Sequence, residues 1–154
     1  PDDWVLVLHG WGDGRYINKI ETLASRSPLQ VYLSLEFLPF DEVDKLIASA
    51  DVGIALYRNL NLNHELIAAA SNKLSHYFKC GIPAIMIDFP GLRRLANQYN
   101  CGICVSSPDE VGRALFKLSG NLEEFRQGAI QCYTEAYNFD SFIDPLLEML
   151  RRLR

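Results

Sequence analysis

No apolar run in this chain approaches the roughly 20 residues of a membrane-spanning helix, so the sequence offers no helical span. No signal-peptide pattern precedes the first strand-like run, and a cytosolic domain is the expectation. Histidine is scarce: His9, His64 and His76 are the whole supply, and no set of three or four His, Cys, Asp or Glu at recognisable ligand spacing appears. A metal centre needs several convergent ligands, so neither a metal nor another cofactor is expected. Neither a nucleophile elbow nor a paired base can be placed, which removes a hydrolase triad. Positive charge is in deficit as well. With 15 Lys and Arg against 19 Asp and Glu the net charge is −4, which leaves no general electrostatic reason to bind nucleic acid. Arg151, Arg152 and Arg154 do form a basic end. A solvated helix terminus favoured by its dipole is the plain reading, and a patch for anionic lipid headgroups the sharper one.

Four cysteines, Cys80, Cys101, Cys104 and Cys132, are scattered along the chain. Cys101-Gly102-Ile103-Cys104 has redox-motif spacing, but a thioredoxin-type pair opens a helix, whereas this one leads into the strand-like Ile103-Cys104-Val105. Buried, reduced, structural thiols are expected. What remains is ordinary for a globular domain: 49% apolar and 22% charged residues over 154 positions, long enough to bury a core, with no repeat and no low-complexity linker. One domain, residues 1–154, accounts for the chain.

Strand-like runs fall near residues 4–9, 30–35, 52–56, 83–87 and 102–105. Helix-like segments near 16–26, 41–50, 71–80, 91–99 and 109–119 lie between or after them. Such alternation predicts an α/β fold, a doubly wound parallel sheet of about five strands with right-handed crossovers. After Gly120 the alternation gives way to two helices, near 122–137 and 141–153. The punctuation agrees. Asp41 is a candidate cap, Ser107-Pro108-Asp109-Glu110 and Asn121 to Glu124 have capping-box spacing, and Gly81 with Pro83 closes the helix that Ser71 or Asn72 opens. Trp4 to Leu8 is a continuous apolar run of the kind buried on both faces of a parallel sheet. An interior strand wants neighbours on both sides, so further sequence upstream, and hence an excised fragment, is expected.

The stretch from Ala50 to Leu92 reads as strand, loop, helix, strand, which puts a helix N-terminus at the carboxyl edge of the sheet. Unpaired N–H groups and a partial positive charge make such an end a site for a diphosphate. Backbone N–H groups around Ala70, Ser71 and Asn72 would face it, and Lys73 in the first turn adds a point charge where a cation is otherwise slightly unfavourable. Gly12, Asp13 and Gly14 form a turn that lets a ligand approach, with Arg15 beside it as a phosphate contact. A solvated lysine and a plain turn are the structural alternatives.

In order along the chain, Gly12-Asp13-Gly14, Phe37-Leu38-Pro39-Phe40, Ala50-Asp51-Val52-Gly53-Ile54, Ser71-Asn72-Lys73-Leu74 with Tyr77, Cys80-Gly81-Ile82-Pro83, and Asp88 with Gly91 follow a known series of landmarks. From residue 4 to about 152 the chain thus resembles the C-terminal domain of the glycosyltransferase group 1 family, retaining enzymes of GT-B fold. The resemblance implies the donor-binding, Rossmann-like half of a two-domain transferase, working without a metal on a nucleotide-diphosphate sugar. It implies a partner, the N-terminal acceptor-binding domain, which lies outside this sequence, as does the basic loop that contacts the diphosphate. The acceptor would be a growing polysaccharide, glycan or lipid. The fragment alone would be inactive, and the whole protein cytoplasmic, at the inner face of the membrane through peripheral contacts of its other domain.

Residue by residue, the resemblance assigns Gly12, Gly14, Arg15, Ala70, Ser71, Asn72 and Lys73 to the donor diphosphate, and Phe37, Leu38 and His76 to the nucleobase and ribose. Core packing is the plainer reading of Phe37 on burial statistics. The family commonly carries two glutamates whose places here fall on Ala68 and His76, neither of them a carboxylate. A neutral imidazole offers one acceptor contact where a carboxylate offers two, so ribose recognition should differ. Glu65, three residues before Ala68 and just after the polar loop from Arg58 to His64, is the substitute for a donor-sugar contact. No catalytic residue is assigned. A degenerate GT-B domain serving as a binding or regulatory module is the alternative, and an unrelated flavodoxin-like nucleotide-binding domain is another.

Overall fold

A computed structural model describes residues 4–59 and 66–152 of the chain. Its contacts divide into two compact units, Pro1–Val43 and Asp44–Arg154. In the first, β1 (Val5–His9) and β2 (Gln30–Ser34) pair in parallel from Val5↔Gln30 to His9↔Ser34, joined by α1 (Gly14–Ser25). Asp13 caps α1 by accepting the Arg15 N–H at 3.0 Å. The expected burial of the Trp4 to Leu8 run on both faces is not found: Val5 and Val7 are 44% and 47% exposed. Among the described residues β1 has one ladder partner, β2, and Leu6 between the two valines is only half-buried. Next comes α2 (Phe40–Ala48), which carries Asp41 and Glu42 in its first turn, where they favour the helix dipole.

The second unit holds a three-stranded parallel sheet in the order β3 (Gly53–Ala55), β4 (Ala84–Ile87), β5 (Gly102–Val105). Its crossovers are α3 (Asn72–Lys79), preceded by a 3-10 turn at Ile67–Ala70, and α4 (Pro90–Tyr99). After β5 come a 3-10 turn at Pro108–Glu110, α5 (Val111–Gly120), α6 (Leu122–Cys132), a π turn at Tyr133–Tyr137 and α7 (Asp140–Arg152). The predicted strand, crossover and terminal-helix pattern is therefore present, with the five described strands in two parallel sheets.

Burial on both faces, expected of a parallel strand, is realised at β4. Ala84 and Met86 point into a cluster with Leu74, Phe78, Leu92, Cys101 and Cys132, while Ile85 packs with Val105, Ala114, Leu118 and Phe125. Each such side chain contributes roughly 1.5–3 kcal/mol by leaving water. Cys101 and Cys132 are fully buried, whereas Cys80 and Cys104 are half-buried; all four are free thiols. Cys101 pairs with Cys132, not with Cys104, and that contact and burial push its thiol up; burial, with Asp88 next, raises Cys104 to about 11. Unreactive thiols follow.

Gly81 closes α3 as its sequence promises: φ is +69°, Ile82 N–H donates to Tyr77 O at 2.9 Å and Gly81 N–H to Phe78 O at 3.0 Å. Two capping boxes turn out otherwise. Glu110 accepts the Ser106 N–H at 2.7 Å, Glu124 accepts from the Asn100 side chain at 2.9 Å, and the Asn121 side chain makes no cap bond. A tertiary partner outcompetes the local one in the second case. Among the described residues no helix is long and apolar enough to cross a membrane.

Candidate functional site

α3 begins at a buried serine. Ser71, 4% exposed, accepts the Leu74 N–H at 3.1 Å, and its Oγ lies 2.6 Å from the Tyr57 hydroxyl. The N–H groups of Asn72 and Lys73 occupy first-turn positions that no helical carbonyl can satisfy. Asn72, Lys73 and Ala70 are exposed, so this helix end is open to solvent. Lys73 Nζ lies 5.6 Å from the centroid of the Tyr57 ring, within cation–π range. Burial raises the Tyr57 pKa, so the phenol stays neutral. Sequence reasoning missed Tyr57. Its one signal was an aromatic residue two positions beyond β3, at the carboxyl edge where loops carry ligands.

The turn before α3 is pinned from below. The Tyr137 hydroxyl donates to the Ala68 carbonyl, and the Tyr137 ring stands edge-on to Phe78 at 5.7 Å. Ala68 is buried, and a Cβ on Gly91 would come within 2.8 Å of its methyl. The position that the resemblance gives to a first glutamate thus faces α4, where a carboxylate would be desolvated. Glu65, the substitute, lies outside the described residues.

His76 has a partner that the sequence did not reveal. Its Nδ1 is 2.7 Å from Asp44 Oδ1 on α2, and Lys79 Nζ donates to Asp44 Oδ2 at 2.7 Å. These contacts, the Lys79 bond first, hold the Asp44 carboxyl below the ordinary carboxylate range. Tyr77 packs its ring against Gly53, where any side chain would collide, and so docks α3 on β3. At the end of β4, Asp88 and Arg93 form a two-pronged pair with both contacts at 2.6 Å, which lowers the Asp88 pKa.

In the first unit the loops after β1 and β2 meet. Gly10 N–H continues the ladder to Ser34 O at 3.1 Å, and His9 Nδ1 lies 3.1 Å from Ser34 Oγ. Trp11 and Phe37 then form an edge-to-face pair at 5.2 Å, with 64% and 71% of their surfaces exposed. Core packing of Phe37 is therefore overturned: burial statistics describe an average, and this ring's neighbour is another exposed aromatic. Leu38 is half-buried. Around Gly12 and Gly14 a Cβ would meet nothing within 4 Å and neither has positive φ, so no packing or turn requirement explains these glycines. Arg15 is 95% exposed, with its Nε 3.4 Å from Asp13. Sequence reasoning also missed Trp11. Among the described residues no cluster of His, Cys, Asp and Glu could hold a metal ion.

The architecture is that of a Rossmann-like half of the GT-B fold. The fold matches the crystal structure of WaaG, a glycosyltransferase involved in lipopolysaccharide biosynthesis, with a TM-score of 0.52 and 18% identity over 90% of this chain and 35% of that one. Among proteins similar in sequence are two named Chitobiosyldiphosphodolichol beta-mannosyltransferase. The one from Yarrowia lipolytica is 25% identical over 118 residues, 75% of this chain and 24% of the relative. That from Candida albicans is 22% identical over 136 residues, 82% of this chain and 28% of the relative. The chain thus spans about a quarter of the length of these relatives. No family model matches it.

Proposed function

We propose that this chain is the donor-binding half of a glycosyltransferase that takes a nucleotide-diphosphate sugar and works with an N-terminal acceptor-binding domain of the same protein. The observation that carries the reading is the start of α3: a buried, doubly bonded Ser71 cap, open first-turn N–H groups and a lysine held over Tyr57, all at the carboxyl edge of a parallel sheet. Ala70, Ser71, Asn72 and Lys73 would receive the diphosphate, and the leaving group's charge would be stabilised there as the sugar bond breaks. Gly12, Gly14 and Arg15 in the first unit are further diphosphate candidates, and exposed Phe37, with Leu38, is a candidate for the base.

Both relatives' names contain a diphosphodolichol-linked glycan and the WaaG title a lipopolysaccharide, which supports a lipid-linked or growing glycan as acceptor and peripheral work at a membrane face. Retention follows from the resemblance, whereas a beta-linked product from an alpha-linked donor requires inversion. The anomeric proton of the product distinguishes the two. The fragment alone is proposed to be inactive, because acceptor positioning, on the order of 7–11 kcal/mol at the extreme, resides in the other half.

A non-catalytic binding module is the second reading, favoured by Ala68 facing the core and His76 tied to Asp44. A thermal-shift and NMR titration with uridine and guanosine diphosphates tests the shared claim. A ligand at one hundred times its dissociation constant adds about 2.7 kcal/mol of stability. Shift changes should centre on residues 69–74; changes confined to another face exclude the site.

A further inference from the structure

Asp44 is bound from three directions by α3 and its C-cap. Its Oδ1 lies 2.7 Å from His76 Nδ1, its Oδ2 accepts from Lys79 Nζ at 2.7 Å, and its backbone carbonyl accepts the Cys80 thiol at 3.7 Å. The Asp44 and His76 side chains are 28% and 29% exposed, so the contact is partly shielded from water. With its pKa lowered by Lys79 and His76, the carboxyl is ionised at neutral pH and can only accept. The imidazole nitrogen facing it must therefore carry a proton. A neutral imidazole has a single N–H, so fixing it at Nδ1 leaves a lone pair at Nε2. The hydrogen bond described for the ring is the one at Nδ1. His76 follows Asn72 and Lys73 by four and three residues, on the same helix face and about 6 and 4.5 Å further along.

We propose that Asp44 is a positioning residue: anchored by Lys79, it holds His76 as the Nδ1–H tautomer so that Nε2 accepts from a hydroxyl of a ligand whose anionic group sits on the first turn of α3. The ligand class is a phosphorylated polyol such as the nucleoside half of the donor, and this part rests on the donor-binding reading.

The test uses the full chain at pH 8, where long-range 1H–15N spectra report the imidazole tautomer of His76. The wild type should show protonated Nδ1 and unprotonated Nε2, and Asp44→Ala should move the signals toward the other tautomer. Asp44→Asn, which keeps an acceptor oxygen, should restore the first pattern at least partly. Uridine and guanosine diphosphates and inorganic pyrophosphate are then titrated. Asp44→Ala should weaken the nucleoside diphosphates about 2- to 12-fold, the range of a neutral hydrogen bond, and leave pyrophosphate unchanged. A wild-type His76 protonated at Nε2, or a tautomer unaltered by Asp44→Ala, overturns the proposal and leaves the donor-binding reading standing. Equal affinities in wild type and Asp44→Ala overturn the acceptor role. If none of the three probes binds the wild type, the donor-binding reading fails and the acceptor role with it.

Discussion

The two units of this chain use the same strand, helix, strand device and hold their loops by opposite means. In the first, none of the described side chains from Trp4 to Val43 is buried; the strand-end loops meet through backbone bonds and the exposed Trp11 and Phe37 rings. In the second, the loop before α3 rests on buried and half-buried side chains: Ser71 on Tyr57, the Ala68 carbonyl on Tyr137, Tyr137 on Phe78. A hydrogen bond in a dry environment is hard to break without leaving a desolvated group, whereas an exposed contact exchanges with water at little loss. The second arrangement is therefore the more firmly fixed, and the first the more adaptable.

The sharpest way to break this comparison is to cut the same residue type in both units. Phe78→Ala removes a fully buried ring beneath the α3 turn and should lower unfolding free energy by about 3–5 kcal/mol, while Phe37→Ala, on the surface, should stay within about 0.5. Urea unfolding of the two variants measures both. Equal losses would mean that the first unit hides a core at Phe37.

Cations come next. Lys73→Ala should weaken nucleoside-diphosphate binding by about 1.5–3 kcal/mol, as for a charged hydrogen bond, with little change in folding stability. Arg15→Ala, removing a side chain 95% exposed, should cost less than about 1 kcal/mol of binding. Isothermal titration calorimetry resolves the order, and a larger effect at Arg15 would transfer the diphosphate to the first unit.

Helix caps give a smaller contrast. Ser71→Ala loses the Leu74 and Tyr57 bonds together and should destabilise by up to about 2 kcal/mol, whereas Asp13→Ala, at an exposed cap, should cost about 0.5. Melting temperatures of the pair provide the check.

The smallest effect is one of pH. The folded Asp44 carboxyl has a pKa lowered by Lys79 and His76, so its contribution to stability is fully present above about 3.9, the ordinary unfolded value, and is lost as pH falls through the lowered folded pKa. Asp44→Asn should flatten the acid limb of a stability-versus-pH curve. An unchanged limb would show that the Lys79 and His76 contacts do not persist in solution.

Legibility differed between fold and site for a physical reason. Element order was readable because periodicity and punctuation are local: Gly81 at positive φ and Ser71 as a cap act within a few residues of the helix ends they define. Side-chain roles depend on partners distant in sequence. Tyr57 reaches Ser71, Tyr137 reaches Ala68, and Asn100 draws Glu124 away from its expected box. No spacing rule foretells such pairs.

By itself, then, the sequence determined an alternating α/β chain whose third helix opens at a serine cap, since backbone geometry and capping follow from local residue type. Tertiary structure alone decided that Ala68 faces the core, that Phe37 stands in solvent beside Trp11, and that His76 shares Asp44 with Lys79. Burial and ion pairing are properties of surfaces brought together, and those surfaces exist only once the chain has folded.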